Sequence, residues 1–238
     1  MNAAVQAEKD DRAVAGMRLA GERAVCDARG TLFLPAHGVL VVSDLHLEKG
    51  AAYARRGSLV PPYDTAATLA RLRHVIDDYR PGIVVSLGDS FHDRAGSAHM
   101  PEIYREALAG MMAGRDWYWI AGNHDPDPPH DLPGRAVREL VVGGLTFRHE
   151  PSKGAAEGEI AGHLHPGARV VLRGRSVRRA CFASDGLRMI MPAFGAYTGT
   201  LNILDRAYHG LFGMERLMAY MLGRGRVFPI AGAMLRGG

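Results

Sequence analysis

The sequence predicts an α/β fold with mixed sheets, and two observations carry that prediction. In the first half, short runs rich in β-branched residues alternate with stretches of helical periodicity, as in strand–helix–strand units. Further on, strand-like runs follow one another with only turns between them, which implies antiparallel pairing. A third observation locates the chemistry. Five apolar runs stop abruptly at Asp, Asn or His, and strand ends are where α/β folds gather site residues.

Taken in order, residues 1–14 are polar and charged (Glu8-Lys9-Asp10-Asp11-Arg12) and read as a flexible tail before a single domain, residues 15–238. Short strands are expected around Met17–Leu19, Ala24–Cys26 and Thr31–Leu34, with a turn at Ala28-Arg29-Gly30. The buried strand Val39–Val42 runs into Ser43-Asp44-Leu45-His46. Residues 51–62 form an irregular connection with a helical turn near Tyr53–Arg56. Asp64 is the expected N-cap of a helix reaching Tyr79, in which Leu69, Leu72, Val75, Ile76 and Tyr79 repeat at helical spacing. Pro81-Gly82 ends it, and Ile83–Leu87 is the next buried strand, stopping at Gly88-Asp89.

A second helix is expected from Pro101, a good first-turn residue, to about Ala113. Asp116–Ile120 then reads as a strand ending in Gly122-Asn123-His124-Asp125. A loop rich in proline (Pro126, Pro128, Pro129, Pro133) precedes a hairpin of Val137–Val142 and Leu145–His149 about Gly143-Gly144. After a loop over 152–158, Ile160-Ala161 leads into Gly162-His163-Leu164-His165. Strands follow at Ala168–Arg173, Val177–Ala183 and Leu187–Met191, then a helix near Met214–Leu222 and a last strand at Val227–Ile230.

Composition bounds the class. With 238 residues, 47% of them hydrophobic, the chain can bury one large core, and no Pro/Ser-rich linker divides it. Cys26 and Cys181 are the two cysteines; their separation excludes a zinc ribbon or a disulfide framework and suits a reducing cytosol. No secretory leader is visible at the start, and no run approaches the ~18 apolar residues of a membrane span, so a cytoplasmic protein without membrane contact is expected. Net charge is +4, and 26 of the 29 basic residues are Arg. Arg codon bias explains most of that, although guanidinium forks also suit phosphate oxygens. Arg169, Arg173, Arg175, Arg178 and Arg179 are the densest cluster, and on a hairpin they cannot all share one face.

The strand ends supply Asp44, His46, Asp89, Asn123, His149, His163 and His165: two carboxylates, one amide oxygen and four imidazoles. That is too many donors for one tetrahedral zinc and suits two cations sharing a carboxylate, about 3.5–4 Å apart. Any one histidine is more often a satisfied or solvated ring than a ligand, and His37, His74, His99, His130 and His209 are read that way. Gly-Asn-His-Asp alone could be a tight turn. Five ligand-rich strand ends in one chain are harder to explain as turns.

In this order the motifs Asp44-x-His46, Gly88-Asp89, Gly122-Asn123-His124-Asp125, His149 and Gly162-His163-x-His165 resemble those of the calcineurin-like metallophosphoesterases. The resemblance implies a four-layer αββα sandwich, two mixed sheets flanked by helices. It implies one metal on Asp44, His46, Asp89 and His165, and a second on Asp89, Asn123, His149 and His163, with Asp89 bridging. Within that superfamily, His46-Leu47-Glu48-Lys49-Gly50, Pro61-Pro62-Tyr63-Asp64-Thr65, Gly88-Asp89-Ser90-Phe91-His92-Asp93, His149-Glu150-Pro151 and Met191-Pro192-Ala193-Phe194-Gly195-Ala196-Tyr197-Thr198-Gly199 are similar to the bacterial ligase-associated metallophosphoesterases. These are DNA-damage-response endonucleases associated with a DNA ligase and a helicase. The resemblance implies manganese-dependent hydrolysis of phosphodiesters in nucleic acid, preferably single-stranded DNA, in DNA repair; iron or zinc would also suit the donors.

The expected chemistry is attack by a hydroxide held between two cations, which lower the pKa of water and neutralise charge on the phosphate. The resemblance makes His124 the general acid for the leaving oxygen, and Asp125 could orient it by accepting a hydrogen bond from its ring. Lys49, Arg55, Arg56 and His92 follow ligand loops and are candidate phosphate contacts. Three rivals stand beside this reading. A phosphomonoesterase fits poorly, because Asp93-Arg94 and Asp125 depart from the phosphatase pattern. A lipid-pyrophosphate hydrolase would need an apolar lid that is not evident. A metal-free scaffold would be expected to have lost ligands.

Overall fold

Alternate residues of a strand face opposite sides of a sheet, and the first sheet of this chain is apolar on both. The computed structural model of the protein describes residues 13–55, 57, 58, 61, 63–94, 96–127, 129, 131–154 and 156–238. Most of the expected tail (1–12) and Arg56, Pro62, Pro128 and His130 lie outside the described residues. Val14, expected in the tail, instead opens a strand and pairs with Asp27.

The first sheet contains β1 (Val14–Leu19), β2 (Glu22–Asp27), β3 (Leu32–Leu34), β4 (Val39–Val42), β5 (Ile83–Ser86), β6 (Asp116–Ile120) and β7 (Arg135–Val137), in chain order. Pairing is antiparallel as far as β4 and parallel from β4 to β7. Three helices of the first half are α1 (Lys49–Arg55), α2 (Asp64–Tyr79) and the single turn α3 (Gly96–His99); α4 (Glu102–Met112) follows. Pro101 sits at the N-cap of α4, while α2 is capped by Tyr63 rather than Asp64. Asp64 is the first helical residue, and its carboxylate accepts from the Gly50 amide, tying α2 to the start of α1.

The second sheet contains β8 (Glu139–Val142), β9 (Leu145–Arg148), β10 (Glu159–Ala161), β11 (Pro166–Leu172), β12 (Arg175–Ser184), β13 (Arg188–Ile190) and β14 (Leu201–Asn202). Their order is β14-β11-β12-β13-β10-β9-β8, with β15 (Met218–Gly223) on β12 and β16 (Arg226–Ala231) on β15. Parallel and antiparallel pairs coexist in both sheets, as expected.

Two further expectations need correction. The run Val137–Val142 is not one strand: Val137 closes β7 in the first sheet, and Glu139 opens β8 in the second. The helix expected near Met214–Leu222 is strand β15. Met, Leu and Ala favour helices, but Met218–Gly223 is paired on both sides, by β12 and β16, and Arg224-Gly225 turns it back at positive φ (51° and 70°).

Three apolar layers result. Val39 and Val41 of β4 join Val85, Ile120, Phe147, Ile160, Phe182 and Met189 between the sheets. Leu40 and Val42 face the other way, under Leu69, Leu72, Val75 and Ile76 of α2 and Leu108 and Met112 of α4. The outer face of the second sheet, including Val170, Cys181, Ala183 and Ala219, is covered by Ile203, Tyr208, Phe212 and Leu217. These come from irregular chain and a 3-10 turn (Arg206–Tyr208), so among the described residues no α-helix forms that fourth layer.

Candidate metal centre

The parallel strands β4, β5 and β6 stop at the same edge, and their following loops stay in register. Asp44 N–H donates to the Gly88 carbonyl and His46 N–H to that of Asp89, so the loop after β4 runs beside the loop after β5. The second sheet brings His149 from the end of β9, and His163 and His165 from the segment between β10 and β11. The ladder continues here too, as Gly162 N–H donates to the His149 carbonyl.

Five of the seven ligand-type residues have left-handed backbone: Asp44 (φ 52°), His46 (44°), Asp89 (47°), His163 (68°) and His165 (45°). Side chains with a Cβ rarely adopt this conformation, and its strain is concentrated where function demands a particular aim. Close packing enforces it. A Cβ on Gly162 would lie 2.0 Å from Ser43 Oγ, and one on Gly122 would lie 2.2 Å from the Asp89 nitrogen. Only glycine lets these loops approach each other so closely.

The side chains converge in two groups, Asp44 with His46 and His165, and Asp89 with His149 and His163, each with its ligand atoms within 4.8 Å of one another. In the first, His165 Nε2 is 3.2 Å from Asp44 Oδ1 and 3.3 Å from His46 Nε2. In the second, His149 Nε2 is 3.0 Å from Asn123 Oδ1, 3.2 Å from His163 Nδ1 and 3.5 Å from Asp89 Oδ1. Asp89 lies between them, its other oxygen being 4.0 Å from His46 Nε2.

The donor set fits divalent cations. His149 Nδ1 is 2.7 Å from the Leu87 carbonyl, so that nitrogen carries the proton and Nε2 presents a lone pair. Around this bare nitrogen stand a carboxylate oxygen and an amide oxygen, which are acceptors only. Two oxygen acceptors facing that lone pair repel it, and a cation among them, or a proton on His163 Nδ1 at 3.2 Å, relieves this. The protonation states agree. Burial pushes the His46 imidazole down to about 3, and burial, then neighbouring His149, lowers His163. Burial alone would raise Asp44, but hydrogen bonding and charge from His165, with Ser43, hold it below the usual carboxylate range. Neutral rings at His46 and His163 beside a charged Asp44 are the ligand forms metals require.

Asp125 does not bond His124, contrary to expectation. Its carboxylate accepts from the amides of Ser90 and Phe91 at 2.7 and 3.0 Å, holding the loop that carries Asp89. Burial above all, with the Asp89 charge, pushes Asp125 up to about 7. His124 Nδ1 faces the His92 carbonyl at 3.1 Å instead, and its Nε2 is 3.9 Å from Asp89 Oδ2. Backbone geometry decides this: the His124 amide is itself pinned to Asp89 Oδ1, turning the ring away from its chain neighbour.

Of the four expected phosphate contacts, Lys49 opens α1 half-buried and Arg55 is paired with Asp93 at 3.2 Å. His92 is buried at the site, its ring meeting both His124 and Tyr53 in near-parallel stacks (centroids 5.5 and 5.4 Å). Arg56 lies outside the described residues. Sequence reasoning missed Tyr53, and also Arg188. That buried guanidinium pairs with Glu159 at 2.7 Å and donates to the carbonyls of Ser152, Gly154 and Leu211, fastening the chain that follows His149. Neither residue carries a pattern that separates it from ordinary surface chemistry.

Residues 37–176 match the family described as Calcineurin-like phosphoesterase. Among solved structures, the chain is similar to the nuclease MPE of Pseudomonas putida, with a TM-score of 0.72 and 30% identity over 91% of this chain and 100% of that one. No curated protein matches the sequence.

Proposed function

The chain belongs to the calcineurin-like phosphoesterases, hydrolases of phosphoester bonds that use divalent metals, and on that premise we propose that it is an endonuclease cutting phosphodiester bonds in single-stranded DNA. The observation that carries this reading is the position of Asp89, one oxygen towards each side-chain group, in a site built from both sheets. The similarity to a nuclease supports the substrate class.

In this reading Asp44, His46, Asp89 and His165 hold one cation, and Asp89, Asn123, His149 and His163 the other. Bound there, two divalent ions would activate water and neutralise charge developing on the phosphate oxygens. Manganese is the proposed ion, since mixed oxygen and imidazole donors suit it. His124 keeps its Nδ1 proton on the His92 carbonyl and delivers a second proton from Nε2 to the leaving oxygen. Asp125 acts at one remove, as a positioning residue for the Asp89 loop. Lys49 and His92 border the site as phosphate contacts. A role in DNA repair, in the cytoplasm and beside a ligase and a helicase, is the setting that this chemistry suits.

The test compares a single-stranded oligonucleotide, its duplex, a nitrophenyl diester and a nitrophenyl monoester, each with manganese, iron, zinc and magnesium. Endonucleolytic cutting of the single strand with manganese is expected. Hydrolysis of the monoester with no cutting of any nucleic acid would refute the reading.

A further inference from the structure

The hairpin of β11 and β12 leaves the metal centre and runs beyond the body of the protein. Its root is held, because Pro166 and Gly167 pair with β14 and Cys181–Ser184 pair with β13 and β15. Arg178 donates to the Thr200 carbonyl and Arg169 to that of Gly237, bracing the same end. Past this point the two strands pair only with each other, and Val171 to Arg179 are all exposed, on both faces of the ribbon. Arg173 and Gly174 make the tip at positive φ (49° and 75°), the geometry of a tight two-residue hairpin turn.

Two features of this arm are unusual for a segment that meets only water. Val171, Leu172 and Val177 are exposed by 48%, 59% and 36%, although a two-stranded ribbon has no core of its own to spare them. The stretch from Pro166 to Ser184 holds five arginines and no acidic residue. Among the described residues, the side chains of Arg173 and Arg175 make no hydrogen bond or ion pair. Register puts Arg175 opposite Leu172, so a guanidinium and an isobutyl group share one face beside the turn. Free guanidinium forks next to apolar side chains match a partner with regularly spaced anions and apolar faces between them. A single nucleic-acid strand has that chemistry, with phosphates for the arginines and sugars or bases for Leu172.

We propose that this arm is a clasp for the substrate strand, gripping its backbone at a distance from the scissile phosphate. The inference rests on the endonuclease reading for its choice of polyanion. Seven residues separate His165 from Leu172, or about 23 Å of extended strand. At the duplex rise of about 3.4 Å per phosphate that reach is at most about seven nucleotides from the cut, and a more extended single strand spans it with fewer. The arm therefore sets a minimum substrate length without touching the reacting atoms.

The experiment measures KM for oligothymidylates of 4 to 20 nucleotides (chosen lengths, about half to three times the proposed reach) and for a nitrophenyl diester, using the manganese-loaded wild type, Arg173→Ala/Arg175→Ala and Leu172→Ser. For the wild type, KM should fall as length passes the reach of the arm, at most about seven nucleotides. The double variant should raise KM for the 20-mer roughly tenfold and flatten its salt dependence by about 1.4 logarithmic units per decade, 0.7 for each lost contact. Leu172→Ser should raise it less, and the small diester should be unaffected in both. An unchanged length profile and salt slope in the double variant would overturn the clasp, as would an equal loss on the small diester. A wild-type dimer that Leu172→Ser dissociates would overturn it too, by assigning the apolar tip to a second copy of the chain. If the wild type cuts no oligonucleotide, the endonuclease reading fails by itself. The 20-mer is then titrated by fluorescence anisotropy, where tight binding lost in the double variant still supports the clasp and equal binding rejects it.

Discussion

The proton on His149 Nδ1, committed to the Leu87 carbonyl, decides which nitrogen faces the site. His124 is the instructive case. Its Nδ1 meets a backbone carbonyl, so a proton delivered to substrate has to come from Nε2, on the Asp89 side. His124→Ala should retain both metals and slow hydrolysis of an oligonucleotide by roughly 10²–10⁴, the usual worth of a general acid. The loss should shrink for a nitrophenyl diester, whose leaving group needs no proton. Equal loss on both substrates, followed by stopped-flow measurement of turnover, would assign His124 to phosphate positioning instead. At this scale the convergence of the seven ligand-type residues was legible, because the segments that carry them follow apolar runs. Asp125 was not. Adjacency in sequence suggested a partner for His124, whereas the fold turns the carboxylate to the amides of Ser90 and Phe91. Tyr53 and Arg188 were hidden because their roles arise from contacts between distant segments.

Elements were legible where burial on both faces imposes a continuous apolar run, as in Val39–Val42, or where helical spacing is long, as in α2. They were not legible where pairing overrules propensity: β15 is made of good helix formers, and only its neighbours β12 and β16 make it a strand. How elements are fastened together predicts an acid response. Asp27, at the end of β2, accepts from the Arg29 guanidinium and from Tyr79 Oη at the end of α2. Burial would raise its pKa, but these bonds outweigh burial and the Arg29 charge adds to them, leaving it lowered. A carboxylate lowered in the folded state contributes stability that is present above its unfolded pKa, about 3.9, and is lost as pH falls through the folded value. Asp27→Asn should therefore cost about 1.5–3 kcal/mol at neutral pH, the range for hydrogen bonds to a charged group. Urea unfolding as a function of pH should show the gap from wild type closing below about pH 4. A gap independent of pH would mean that Asp27 acts through shape alone.

For the molecule as a whole, the decisive feature is that neither sheet holds a complete site. The first supplies Asp44, His46, Asp89 and Asn123, the second His149, His163 and His165, and the shared core around Val85, Ile120, Phe147 and Ile160 fixes their separation. The family resemblance carried by the order of motifs already implied two mixed sheets. The 3-10 turns covering the second sheet were not visible, since short irregular segments leave no periodic trace. A site shared in this way should bind its two ions through one common carboxylate, which metal analysis can measure directly. After equilibration with manganese and removal of free metal, elemental analysis should find about two ions per chain in the wild type, the number a shared-carboxylate centre holds. His165→Ala and His163→Ala should each lose one ion, and Asp89→Ala should weaken both and abolish diester hydrolysis. Two tightly held ions and near-normal turnover in Asp89→Ala would contradict the account.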